Sequence, residues 1–303
     1  MDRTTDQRLW RRVVGGLCYP ATLAITTALV TKPLLGGAAP MTVVIIALLG
    51  ASALIWSLEL LMPHREKWQP PRRTLLLDIA HTLVSSQLVA PLAKAGLIML
   101  AAVIAHQQGQ SGLGLWPSNW PFVAQFALAV VVADFPVYWA HRLMHVTSVG
   151  WRVHAVHHTP QHLHLWASAR SHPFNVLIKV GGESGILLIL GTPQPVFYTW
   201  LIFMSVHGLL QHANIAMYSQ WLNRLLATPE VHRHHHSTVL EESCSNFGNT
   251  TMVWDQLFGS YQKPVAEEVG IGNYQVPERY WDHLRLPFAL DRYQSPADSA
   301  QHD

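Results

Sequence analysis

The sequence predicts an all-α, polytopic integral membrane protein of about four spanning helices plus a hairpin or re-entrant pair, with a histidine-rich helical cap on the cytosolic side. Three observations predict it. Only 13% of the 303 residues are charged, where a soluble domain carries about 25%. The deficit is local: residues 13–31 contain no charge, and after Lys32 the next charged residue is Glu59. The polarity that remains is largely imidazole, 19 His in all, and fourteen of them fall between His141 and His236.

The runs at 13–31 and 33–57 are each long enough to cross ~30 Å of hydrocarbon, which takes ~20 helical residues. A third apolar stretch, 79–105, is interrupted by His81 and Lys94, and a fourth, 120–138, by Asp134. Residues 184–223 are again uncharged, with Gly191-Thr-Pro-Gln-Pro195 as the turn of the hairpin. A cleaved signal peptide does not fit the first run, because a second span follows at once. Arg3, Arg8, Arg11 and Arg12 precede the first span, and Arg65, Lys67, Arg72 and Arg73 follow the second. Both sets are expected on the cytoplasmic side, with Lys32 and the uncharged 106–121 stretch opposite. Four crossings then return the chain to the cytoplasm near Ala140, with both termini inside and a bacterial inner membrane as the expected location.

Composition also excludes some functions. A net charge of +2 from 20 Lys and Arg against 18 Asp and Glu offers no basic patch, so nucleic acid is not an expected partner. Two cysteines, Cys18 and Cys244, rule out a disulfide framework and a cysteine zinc module.

The histidines are spaced rather than scattered. His141 and His145 are four apart; His154, His157 and His158 form a second cluster, and His232, His235 and His236 repeat its spacing. Residues three and four apart share a helix face, so each cluster can aim its rings at one point. His157 and His158 are rotated by about 100° from one another and suit two metals better than one. His207 and His212, five apart at the end of the last apolar run, are a weaker pair. The ten imidazoles of these groups match two metals with four or five nitrogen ligands each. A single catalytic zinc needs three protein ligands, far fewer than are present. A redox pair bridged by oxygen accounts for the excess, with Asp134, Asp255 and Glu230 as acids that could support the ligands. Asp134 could instead pair with Arg142, and Asp255 could cap a helix. His162, His164 and His234 fit either a supporting or a surface role, while His64, His81, His106, His283 and His302 read as ordinary core or capping residues.

From Asp134 to Tyr261 the chain resembles the membrane-bound fatty acid hydroxylase and sterol desaturase superfamily. The resemblance runs through Asp134-Phe-Pro-Val-Tyr-Trp-Ala-His-Arg-Leu-Met-His145, Trp151-Arg-Val-His-Ala-Val-His-His-Thr-Pro160 and Arg170-Ser-His-Pro-Phe174. It continues in Leu210-Gln-His-Ala-Asn-Ile215, Thr228-Pro-Glu-Val-His-Arg-His-His-His-Ser237, Asn246-Phe-Gly248 and Trp254-Asp-Gln-Leu-Phe-Gly-Ser-Tyr261. It implies a non-haem di-iron centre that activates O2 to hydroxylate or desaturate a lipid, such as a fatty acyl chain, sterol, carotenoid or alkylglycerol. It carries the ligand role onto His141, His145, His154, His157, His158, His212, His232, His235 and His236. His207, His172, Asp134 and Asp255 remain possible ligands or supporting groups. The organisation implied is an N-terminal transmembrane region 1–120, a catalytic domain 121–265 and a C-terminal cytosolic tail 266–303. No fused cytochrome b5 type haem domain is visible, so a separate donor is expected: a ferredoxin, a cytochrome b5-like protein or a reductase.

The expected reaction is O2-dependent hydroxylation of a lipid C–H bond by two Fe ions, with zinc as a possible occupant after purification. Desaturation begins with the same hydrogen abstraction and stays open as the alternative. A zinc-dependent membrane hydrolase lacks a His-Glu-x-x-His motif. A metal transporter would set its His within the spans rather than beside them. Trp139, Trp151, Trp166 and Trp200 are candidate walls of a lipid channel, or interfacial anchors.

Overall fold

The computed structural model describes residues 3–108, 113–266, 268–272 and 274–293, and side chains from Arg12 onward except 104–108. Arg3, Arg8, Arg11, His106 and His302 therefore lie outside the described side chains. Twelve α-helices account for the described chain, with only isolated β-bridges among the described residues. They are α1 (Arg3–Leu35), α2 (Pro40–Leu61), α3 (Arg72–His81), α4 (Ala90–Gln108), α5 (Phe122–Val146) and α6 (Ser148–His158). Then follow α7 (Pro173–Leu190), α8 (Gln194–His212), α9 (Pro229–His235), α10 (Leu240–Ser243), α11 (Val253–Leu257) and α12 (Tyr280–Ala289).

Five segments are long and apolar enough to cross a membrane: Arg12–Leu35, Pro40–Leu61, Arg72–Val103, Phe122–Val146 and Pro173–Leu190. The protein is an integral membrane protein. Lys32 does not end the first span: α1 runs on to Leu35, carrying the lysine in its last turn, where a cation meets the helix dipole favourably. The third span is longer than its uncharged part. α3 and α4 are joined by a π-helical stretch, Thr82–Val89, that turns Ser85 inward to donate to the Ser171 carbonyl at 2.7 Å. The fourth extends through His141 and His145, so that the first histidine pair sits on the spanning helix itself.

The predicted turn is present, but α7 and α8 do not pair as a hairpin: each packs on α5 instead, and α8 is not one of the five candidate spans. α7 ends at Gly191, which adopts φ 82° and closes the helix, and Pro193 leads into α8. Only glycine takes that left-handed conformation at no steric cost. α8 becomes the central post, packed by α1, α2 and α5, with Trp200, Ile202, Val206 and Leu210 fully buried. Trp200 is therefore neither an anchor nor exposed to a channel. Among lipid tails, burial of apolar surface drives helix association weakly, and close packing takes over. Gly15 of α1 illustrates it: a Cβ there would collide with the Ala216 carbonyl, and the Gly15 carbonyl accepts from Tyr218 N–H at 3.1 Å.

One end of this bundle carries the cap. Thr147 turns α5 into α6, its hydroxyl accepting from Gly150 N–H at 3.2 Å. Glu59, buried at the end of α2, accepts from Leu165 N–H and Asn214 N–H, both at 2.7 Å. That carboxylate ties two cap segments to the second span. α9 starts on Thr228, whose hydroxyl accepts from Val231 N–H, and on Pro229, the preferred N-terminal pairing for so short a helix.

Candidate metal centre

Four helices deliver imidazoles to one place. The C-terminal turns of α5 supply His141 and His145, α6 supplies His154, His157 and His158, α8 ends on His212, and α9 with the residue that follows it supplies His232, His235 and His236. They form two groups. One is His141, His145, His154, His158 and His235; the other is His157, His212, His232 and His236, and in each the ligand nitrogens lie within 4.8 Å of one another. His157 and His158 fall into different groups, as their offset around α6 requires. The groups touch, with His158 and His236 stacked at a ring separation of 4.4 Å.

Five of the nine rings are held on their outer side by an acceptor. His141 Nδ1–H donates to the Phe247 carbonyl (2.8 Å), His154 to Asn175 Oδ1 (3.1 Å) and His157 to the Arg170 carbonyl (3.1 Å). His212 donates to the Gly208 carbonyl (3.0 Å) and His235 to the Ser245 carbonyl (2.8 Å). These bonds put the proton on Nδ1 and leave Nε2 with a free lone pair aimed inward. The inward nitrogens then face each other: Nε2 of His141 and His154 are 3.0 Å apart, those of His154 and His158 3.1 Å, and those of His232 and His212 3.1 Å. His145 Nε2 and His235 Nε2 are buried with no partner. Converging lone pairs repel unless a cation lies between them. The residues fit a pair of metal ions.

Burial keeps the rings neutral, the form a metal needs. It holds His154 down to about 3 and His235 to about 4, with neighbouring imidazoles adding to the effect at His154. Burial and nearby imidazoles likewise keep His157, His158, His232 and His236 well below the usual histidine range.

The remaining sequence candidates sit elsewhere. His207 lies outside both groups, its Nδ1 3.0 Å from the Tyr19 hydroxyl. His172 caps α7 by accepting from Phe174 N–H and donates to the Leu284 carbonyl. Asp134 accepts from Asn249, Thr250 and Thr251 N–H and from the Thr251 hydroxyl, at 2.9–3.0 Å. Asp255 accepts from Phe247 N–H, Gly248 N–H and the Ser260 hydroxyl. The two carboxylates thus brace the 247–251 loop whose carbonyl orients His141. Arg142, the alternative partner for Asp134, donates to the Tyr138 hydroxyl instead. Glu230 accepts from Ser219 N–H, and His164 pairs with Asp78 at 3.0 Å. Trp151 lies against His145 and His158, at ring separations of 5.3 and 5.4 Å, and so covers the first group.

Asn175 is a residue that spacing did not single out, because it acts through a contact 21 positions away. Asn175→Ala is expected to lower metal affinity at the first group by about 10–100-fold, measured by competition with a chelator. His81 and His283, expected to be unrelated core residues, form a buried pair at 3.1 Å across α3 and α12. Burial, with Arg170 nearby, brings His283 down to about 4. Its neutral form is favoured by folding, so its contribution is complete above about pH 7 and is lost as pH falls from 6.5 toward 4. That loss amounts to about 3 kcal/mol. Thermal unfolding in detergent from pH 7.5 to 4.5 should fall more steeply for the native chain than for His283→Gln.

The fatty acid hydroxylase family profile matches residues 126–260. An ornithine lipid hydroxylase of Rhizobium tropici is 35% identical over 246 residues, covering 80% of this chain and 74% of its own length. The chain belongs to the fatty acid hydroxylase superfamily. Human alkylglycerol monooxygenase is 26% identical over 208 residues, 68% of this chain and 45% of that protein. A Delta(7)-sterol 5(6)-desaturase of Gibberella zeae is 25% identical over 155 residues, 49% of this chain and 45% of the desaturase. No solved structure is significantly similar to this fatty acid hydroxylase superfamily member. Its relatives make it an oxidoreductase acting on lipid.

Proposed function

We propose that the protein is an O2-dependent di-iron lipid hydroxylase, with His141, His145, His154, His158 and His235 on one iron and His157, His212, His232 and His236 on the other. The observation that carries the proposal is the pair of converging, neutral imidazole groups, five and four strong, in contact with each other. Bound iron supplies the O2 chemistry, in which one oxygen atom enters the substrate C–H bond and the other leaves as water, with two electrons and two protons consumed. The chain's own part is positional. The Phe247, Arg170, Gly208 and Ser245 carbonyls and Asn175 fix the tautomers, and Trp151 shields the first group from water.

Hydroxylation is preferred to desaturation because the relatives that cover most of this chain are a hydroxylase and a monooxygenase. The similarity to an ornithine lipid hydroxylase supports lipids with an amino-acid headgroup over sterols as the substrate. The electron donor is a separate ferredoxin, cytochrome b5-like protein or reductase. The centre faces the cytoplasm of a bacterial inner membrane, with residues 121–265 as the catalytic domain between the transmembrane region 1–120 and the tail 266–303.

Protein purified without oxygen should contain about two iron atoms per chain and consume O2 only with both reductant and lipid. One zinc per chain and no iron requirement would overturn the proposal. Cysteine labelling that places residues 154–159 on the side opposite Arg65 would reject the cytoplasmic orientation.

A further inference from the structure

Beyond the nine imidazoles, an uncommon group of charges lies inside the apolar helices. α7 carries Asn175, Lys179 and Glu183 at four-residue intervals, on one face. The first is tied to the metal centre through His154. Glu183 is 7% exposed, and the neighbouring Ser184 hydroxyl is buried with no partner. α4 packs along α7 and brings Lys94 within electrostatic reach of Glu183 and Lys179. Lys179 in turn is within electrostatic reach of His154, His157 and His212. All three charges belong to segments that qualify as spans, yet among the described residues none forms an ion pair within 4.0 Å.

Charges in such segments are costly and mark functional positions. A purely structural tie between α4 and α7 would close into an ion pair, and a proton relay would need a hydrogen-bonded chain between Glu183 and Asn175. Neither is present among the described residues. Two cations and one carboxylate are instead left to be matched from outside the chain, at the edge of the metal centre.

We propose that Lys94, Lys179 and Glu183 form the headgroup subsite for the lipid substrate. It takes a headgroup that carries an anionic oxygen group and a primary ammonium, the lysines receiving the anion and Glu183 the ammonium. This rests on the lipid hydroxylase reading above and narrows its substrate. Carboxylate from an amino acid and phosphate from a phosphoethanolamine meet the same requirement. Helical rise sets Lys179 and Glu183 about 6 and 12 Å along α7 from Asn175. A headgroup held there presents its own carbons, or the first acyl carbons, to the centre; a sterol leaves Glu183 unmatched.

The test is lipid retention by the full-length protein, read by native mass spectrometry after incubation with equal amounts of an ornithine lipid, phosphatidylethanolamine and phosphatidylglycerol. Iron content is measured on the same samples. The native chain should retain the two ammonium lipids over phosphatidylglycerol, and which of the two dominates identifies the anion as carboxylate or phosphate. Glu183→Gln should reduce that preference about tenfold, the scale of one charge-assisted contact, with phosphatidylglycerol retention and iron content unchanged. Lys179→Met should weaken all three lipids, and Lys179→Arg should restore them. A native chain with no preference, a Glu183→Gln protein with native preference, or variants that lose lipid only together with iron would each overturn the proposal. Because retention needs no turnover, selective binding by a chain without an iron requirement would reject the hydroxylase reading and leave the subsite standing.

Discussion

His157→Ala is expected to lower lipid hydroxylation at least about 100-fold and to leave about one iron atom per chain. The ring belongs to the four-membered group, which has no surplus ligand. It packs against His212 and His236 at ring separations of 5.1 and 4.7 Å, and its outer nitrogen is fixed by the Arg170 carbonyl. Arg170 is itself held by Asp78 through a buried contact, which keeps that carbonyl in place. His283→Ala is the control: it removes an imidazole of the same type, but one that bonds His81 and the Pro277 carbonyl. It should keep iron and activity while losing some thermal stability. Equal tolerance of both changes, by iron analysis and turnover, would contradict the ligand assignment.

Asp134→Ala should be the most destabilising single change outside the imidazoles. It strands four donors, three backbone N–H groups and the Thr251 hydroxyl, in a place where water does not reach. At 1–3 kcal/mol for each buried donor left unsatisfied, the expected cost is at least about 4 kcal/mol. The effect should reach the first metal group before the second, because the freed loop carries the carbonyl that orients His141. Unfolding midpoints in detergent, together with iron per chain, check both points. Asp134→Asn keeps the volume and one acceptor and should fall between the two.

Much of this was legible in the sequence because its signals are local. Uncharged runs reveal spans, and three- or four-residue spacing reveals which imidazoles share a face; the nine histidines gathered here are the nine that the spacing and the resemblance together pointed to. What could not be read depends on distant contacts. Asp134 looks like a partner for Arg142, eight residues on, yet its donors come from 115 to 117 positions away. Asn175 carries no spacing signal, and His81 finds His283 across 202 residues. The extent of the third span was hidden for another reason. A π-helical stretch has no strong sequence mark, and it joins α3 to α4 just after His81, so that the span begins at Arg72, ahead of the apolar run.

α6 and α9 each contribute to both imidazole groups, His154 and His158 against His157 on one, and His235 against His232 and His236 on the other. Neither helix can settle for one ion without also arranging the nitrogens for its neighbour. The ordering cost is met largely by the first ion to arrive, and the second inherits a finished cage. Loading should therefore be cooperative, with half-filled molecules scarce even when iron is limiting.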